Sequence, residues 1–291
     1  MGCDIHLEIE QKDKDGIWHL VPRYDQPCRA YCCEGGRLSD KVPNKSMRGA
    51  VCSICEGEGH YIQGFYSDRD YDVFAILANV RNGRDGGDLG DGYVPLSDDR
   101  GFPDDLSFEL EQVLDWGENG RGEEGDEEYE PTIWMGDHSF TWLLYAELLR
   151  PAYWQQTTKS RGWVDAWNFE LWRRQGRPSA WSGGSYGGAI EHVSNSFLSH
   201  IIDSGDLKWV GEEPSGWLAG RNYTTSYDRV KQGDEKQTAT RVVTTKYYTL
   251  VEWEVSYSEQ AAYFLQRMKE VMEHLGNPAP EDVRLVMGFD N

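Results

Sequence analysis

The sequence has no run of 18 apolar residues, so no membrane-spanning helix is expected from it. It opens without a basic and apolar leader, and Met1-Gly2 is not followed by the Ser or Thr of a myristoylation signal. The expectation is a cytoplasmic protein. Positive charge is scarce: 29 Lys and Arg stand against 50 Asp and Glu, a formal net charge of -21. Phosphate backbones would be repelled, which excludes general nucleic-acid binding. The local exception would be a basic groove around Arg173, Arg174 and Arg177. There is no internal repeat, P-loop, dinucleotide fingerprint or nucleophile elbow. Cysteine is almost confined to one stretch, with only Cys3 outside 28–55.

What is present begins with aromatics. Apolar residues make up only 38%, but Trp 12, Tyr 16 and Phe 9 supply large rings for a core. The chain of 291 residues is long enough for one substantial domain. Much of its acidity is local, as 118–130 reads ENGRGEEGDEEYE, a solvated loop.

The first ten residues are the most informative. Cys3, Ile5, Leu7 and Ile9 alternate with Asp4, His6, Glu8 and Glu10. Alternation with period two predicts a strand with one face in a core. Its polar face sets Asp4, His6 and Glu8 in a row, and all three are potential ligands or acid–base groups. A second strand at 18–22 predicts a hairpin around Lys14-Asp15-Gly16. Helical spacing is read at 70–82, from Gly101-Phe102-Pro103-Asp104-Asp105 to Trp116, at 163–174 and at 189–202. A helix is also read from Asp137 to Leu149, with Ser139 as its N-cap. Near the end, 241–256 reads as a long strand, and Ser256 with Glu259 as a capping box. A stripe from Ala261 to Leu275 closes at Gly276, and 282–289 is the last strand.

These elements predict a single α+β domain, 1–291. A mixed or antiparallel sheet joins the N- and C-terminal strands, helices pack on it, and a small cysteine-rich insertion spans 27–64.

Five cysteines follow the pattern C-x3-C-C-x18-C-x2-C. Two separated thiolate pairs suit tetrahedral Zn²⁺, and glycines after Cys55 let backbone amides approach sulfur. Cys28, Cys52 and Cys55 are the assigned ligands, with Cys32 or Cys33 as the fourth and His60 as a substitute. Four thiolates leave no open position, so this zinc would be structural.

Asp4 and His6 form a D-x-H pair of the kind that places two metal ligands at a strand end. Asp137 and His138, and more loosely His192 and His200, could complete such a site. A second divalent metal there would lower the pKa of bound water, and Arg81 would stabilise phosphoryl charge. That is one reading, a metal-dependent phosphoester or nucleotide hydrolase.

Several blocks together resemble a bacteriophage and prophage family whose members open with MGCDIH. They are Met1 to His6, RDYDVFAILANVRN at 69–82, Gly101-Phe102-Pro103-Asp104-Asp105 with Ser107, His138-Ser139 with Thr141-Trp142-Leu143, and Val283-Arg284-Leu285-Val286 closing at Phe289-Asp290-Asn291. The blocks cover under half of the chain. The resemblance implies a phage accessory protein that acts by binding and counteracts a host defence system. Its partner would be a host protein complex or a signalling nucleotide, and the protein a homo-oligomer. The shared polar positions are Asp4, His6, Arg81, Asp105, His138 and Ser139.

Overall fold

The computed structural model describes residues 3–28, 33–39, 47–62, 64–66, 69–83, 90–115, 133–182, 190–204, 207–209, 227–229 and 246–290. The acidic stretch 118–130, the glycine-rich 183–188 and most of 205–245 lie outside them. The strands are β1 (Ile5–Lys12), β2 (Trp18–Leu20), β3 (Asp25–Pro27), β4 (Cys33–Glu34), β5 (Arg37–Leu38), β6 (His60–Ile62), β7 (Leu114–Asp115), β8 (Ile133–Trp134), β9 (His138–Leu144), β10 (Thr157–Asp165), β11 (Ile190–His192), β12 (Leu207–Trp209), β13 (Tyr227–Arg229), β14 (Lys246–Ser256) and β15 (Val283–Phe289). The helices are α1 (Tyr71–Ala78), α2 (Phe108–Val113), α3 (Tyr145–Leu148), α4 (Pro151–Trp154), α5 (Ala166–Gln175), α6 (Asn195–Asp203), α7 (Tyr257–Gln260) and α8 (Ala262–His274). None of the described helices is long and apolar enough to cross a membrane.

The chain divides into two compact units. The first comprises 1–70, 96–150 and 262–291, and the second 71–95 and 151–261. The cysteine-rich insertion lies wholly in the first.

The first unit is built on a four-stranded antiparallel sheet in the order β2-β1-β15-β9, so the expected sheet joining both terminal strands is present. Cys3, Ile5, Leu7 and Ile9 are buried, as their alternation requires. The opposite face is covered too. Glu8 is buried and pairs with Arg23, while Glu10 pairs with the buried Arg284 and accepts from the Ser107 backbone N–H at 2.8 Å. Asp105 binds the other side of the Arg284 guanidinium, which lies over the Trp18 ring at 4.1 Å. The polar row of β1 is therefore partly a buried ion-pair layer under α2, capped by Ser107 through its bond from Leu110 N. Helix α8 buries the apolar stripe Phe264, Met268, Val271 and Met272, and ends as expected at Gly276 with φ +81°.

One expected helix is a strand. From His138 the chain forms β9, which pairs with β15 through Leu144, and only Tyr145–Leu148 is helical. Thr141 and Leu143 are buried beside partly buried Phe140 and Trp142. The run is apolar enough for either period, and pairing with the buried strand β15 decides between them.

The second unit holds a sheet ordered β10-β14-β11. Nine antiparallel pairs join β10 to β14. Helices α5 and α6 bury Trp167, Phe169 and Leu198 with Val164, Val251, Trp253 and Val255. Two helix readings are corrected here. Residues 157–165 form a strand before α5 opens, with Asp165 as its N-cap. His192 lies on β11 and His200 on α6, not on one helix. Of the expected capping box, the Ser256 half is present: Ser256 is the N-cap of α7, its hydroxyl accepting from Glu259 N. Of the three arginines read as a local basic groove, Arg173 pairs with Asp203 and Arg177 with Glu259.

Candidate metal centre

The insertion gathers four thiols. The sulfurs of Cys28, Cys33, Cys52 and Cys55 all lie within 4.8 Å of one another. Cys28 follows β3, whose antiparallel pairing with β6 is extended by the bond from Cys28 N to Gly59 O at 2.8 Å. Cys33 opens the β4–β5 hairpin, and Cys52 N donates to Gly36 O at 2.9 Å. Gly36 is required where it stands, since a Cβ there would meet Gly57 O at 1.9 Å. Its φ of +85° lets two tight loops approach closely enough to bring their sulfurs together.

The spacing tests which chemistry fits. Cys28 and Cys52 sulfurs are 3.9 Å apart, and Cys33 and Cys55 sulfurs 3.7 Å. A disulfide needs about 2.05 Å. A tetrahedral ion with metal–sulfur bonds of about 2.3 Å sets neighbouring sulfurs roughly 3.8 Å apart. The four-thiol set is therefore geometrically suited to a metal ion. The backbone N–H groups of Cys55 and Ile54 bond the Cys52 sulfur and bring its thiol down to about 7. Burial and hydrogen bonding to Cys28 push the Cys33 thiol up to about 12. One thiol ready to ionise beside one that resists it is the arrangement a shared cation reverses, by favouring the thiolate at all four. The fourth member is Cys33; Cys32 lies outside the described residues. His60 stands aside, its Nδ1 2.6 Å from Asp25 Oδ2.

The Asp–His residues behave differently. Among the described residues, the four thiols form the only group of three or more His, Cys, Asp or Glu side chains placed to hold a metal. The Asp4 carboxylate is held by both nitrogens of an Arg69 fork, which keeps it below the usual carboxylate range. His6 Nε2 lies 3.1 Å from Asp290 Oδ2, and Asp290 Oδ1 accepts from Asp4 N at 2.9 Å. Burial alone would raise Asp290; bonds from His6, the Asp4 backbone and Trp134 outweigh it and lower its pKa. The expected convergence of Asp4, His6 and His138 is not what the sheet builds. His6 stands opposite Gly288 and His138 opposite Phe289, on opposite faces of β15. Arg81 belongs to the second unit, where its guanidinium lies 5.3 Å over the Tyr71 ring.

Two partners escaped sequence reasoning. Asp290 and Trp134 complete the environment of His6, yet neither sits at a spacing that announces it. Asp290 follows β15, and its bonds to Asp4 N and His6 Nε2 tie it to the start of β1 across the whole length of the chain. Compared with known protein families, curated proteins and solved structures, the chain matches none.

Proposed function

We propose that the protein is a phage-encoded accessory protein that acts by binding a host protein complex of a defence system, with a structural Zn²⁺ held by Cys28, Cys33, Cys52 and Cys55. The carrying observation is the four-thiol cluster at tetrahedral spacing. Full coordination by protein leaves such an ion no reactive position, so its work is to hold the insertion in shape.

The shape supports a protein partner over a nucleotide. Met47, Val51, Ile54 and Ile62 are large apolar side chains exposed within the insertion, Ile62 at 68%. Residues 27–64 carry five Lys and Arg against four Asp and Glu, in a chain of net charge -21. The insertion is thus a nearly neutral, apolar-displaying surface on an acidic protein. A partner meets least repulsion there and finds aliphatic side chains to bury. Homo-oligomerisation in the host cytoplasm belongs to the same proposal, and light scattering of the purified chain tests it.

The decisive experiment expresses the chain in hosts carrying single defence systems and measures phage plating. Wild type is expected to restore plating on at least one such host. Ile54→Asp is expected to lose that effect while retaining one zinc per chain. Restoration by Ile54→Asp equal to wild type, or no restoration on any host, overturns the reading.

A further inference from the structure

We propose that Ser139 is a nucleophile, activated by His138 and Asp137, for acyl transfer from an uncharged carboxylic ester. Three consecutive residues make an unusual constellation, and the backbone explains how they do it. In a regular strand, neighbours point to opposite faces, so His138 and Ser139 would not meet. Here the β9–β15 register shifts between Met287 and Phe289, so Ser139 and Phe140 together face Gly288. Such a bulge re-aims side chains. Ser139 takes φ +55°, in the left-handed region that a side chain seldom enters. Among the described residues it is the one non-glycine strand position with a positive φ. Non-glycine residues held there concentrate at functional sites.

The result is contact. Ser139 Oγ lies 2.9 Å from His138 Nδ1. On the other side of the ring, His138 Nε2 is buried and makes no hydrogen bond, and Asp137 Oδ1 lies 3.9 Å from it. A carboxylate beside Nε2 favours the tautomer with its proton there, which leaves Nδ1 free to accept from the serine hydroxyl. The 3.9 Å separation is too long for a hydrogen bond, and catalysis requires it to shorten when substrate binds. The trio is clamped to the end of β15. Asp137 N donates to Phe289 O at 2.8 Å, and the His138 ring stacks on Phe289 with centroids 6.4 Å apart. Gly288 must lack a side chain, since a Cβ would meet Met135 O at 1.8 Å and the Phe140 ring at 2.8 Å.

The surroundings select the substrate. Asp137 is exposed and the whole chain is acidic, so a phosphoester anion would be repelled. Phe140, which follows Ser139 in the chain, stacks on Phe102 with ring centroids 4.7 Å apart, so the residue next to the serine is apolar. An uncharged ester fits both conditions. In the reaction, Ser139 Oγ bonds the carbonyl carbon and its proton passes to His138 Nδ1. The carbon–oxygen bond to the alcohol breaks, and that proton leaves with the alcohol. Water then attacks the acyl-serine by the same route, releasing the carboxylic acid and restoring the serine.

The test uses the full chain with an alkyl fluorophosphonate and with p-nitrophenyl butyrate. Wild type is expected to gain one phosphonyl group, mapped to Ser139, and to release one p-nitrophenol per chain in a burst. Ser139→Ala, and Ser139→Gly, which suits the positive φ, are expected to lose both. His138→Gln is expected to slow labelling at least a hundredfold. Asp137→Asn is expected to slow it about tenfold and displace its pH profile. An unlabelled wild type, label on Ser139→Gly, or His138→Gln labelled at the wild-type rate would each overturn the proposal.

Discussion

His6 and His138 flank the same strand but project from opposite faces of the sheet. β1 places His6 against Gly288 and β9 places His138 against Phe289, and adjacent residues of β15 face opposite ways. Their backbones are two strand spacings apart, roughly 10 Å. One face receives the His6–Asp290 pair; the other receives the His138 ring over Phe289.

Their energetics should therefore be independent. In denaturant unfolding, His6→Ala combined with His138→Ala is expected to equal the sum of the single changes within about 0.5 kcal/mol. His6→Ala combined with Asp290→Asn is expected to depart from the sum by about 0.5–3 kcal/mol, because those side chains touch. Strong coupling between the two histidines, matching that of His6 with Asp290, would mean they share a site after all.

Metal analysis separates the adjacent cysteines. Purified wild type is expected to carry one zinc per chain, and Cys33→Ser and Cys55→Ser to lose it, while Cys32→Ser keeps it. Where zinc is lost, the insertion should open locally, since metal binding is folding free energy for such a module. Limited proteolysis would show this as new cleavage within 27–64. Full zinc in Cys33→Ser would refute the assignment of the fourth ligand.

The Arg284 network predicts a large stability effect. Arg284 and Glu10 are both buried, at 1% and 0% exposure. Glu10→Ala leaves a guanidinium buried with only Asp105 to meet it, a loss of about 3–5 kcal/mol in the urea midpoint analysis. Asp105→Ala should cost less, because the Asp105 side chain is mostly exposed. A Glu10→Ala cost within 1 kcal/mol of wild type, on the order of a surface pair, would show that the layer is not closed.

Acid should weaken the fold from several places together. Arg69 holds Asp4 low; bonds to Arg284 lower Asp105, and bonds to Arg100 lower Glu147, each against the opposing effect of burial. Asp290 is lowered too. Groups lowered on folding stabilise above their unfolded values, near 4, and that contribution is lost as pH falls through the folded values. Burial raises Glu8 despite Arg23, so it acts in reverse: its contribution is full below its unfolded value and lost as pH rises through the folded one. Four lowered groups outnumber one raised group, so the urea midpoint should fall steadily between about pH 4 and pH 2. A midpoint that rises over that interval would contradict the assignment of these pairs.

Much of the framework was legible because it depends on local periodicity. The alternation of Cys3, Ile5, Leu7 and Ile9 marks β1, and the stripe from Phe264 to Met272 marks α8. Ser256 caps its helix as its spacing to Glu259 requires. The cysteine pattern identified Cys28, Cys52 and Cys55, because metal-ligating thiols come in close pairs on tight, glycine-bearing turns. It left Cys32 and Cys33 equivalent, since adjacent cysteines offer the same ligand at nearly the same spacing.

Tertiary structure decided the rest. Residues 138–144 can satisfy either a helical or a strand period, and only a partner strand made them β9. The polar face of β1 looked like a row of ligands, but Glu8 and Glu10 turned inward to arginines that no local pattern associates with them. Likewise, register determined that His6 meets Asp290 and that His138 lies across the sheet from it. Sequence by itself determined which faces are apolar and where thiols cluster, because those follow from residue type at short range. That Glu10 meets Arg284 and His6 meets Asp290 follows from pairing the two ends of the chain, and only the assembled sheet supplies it.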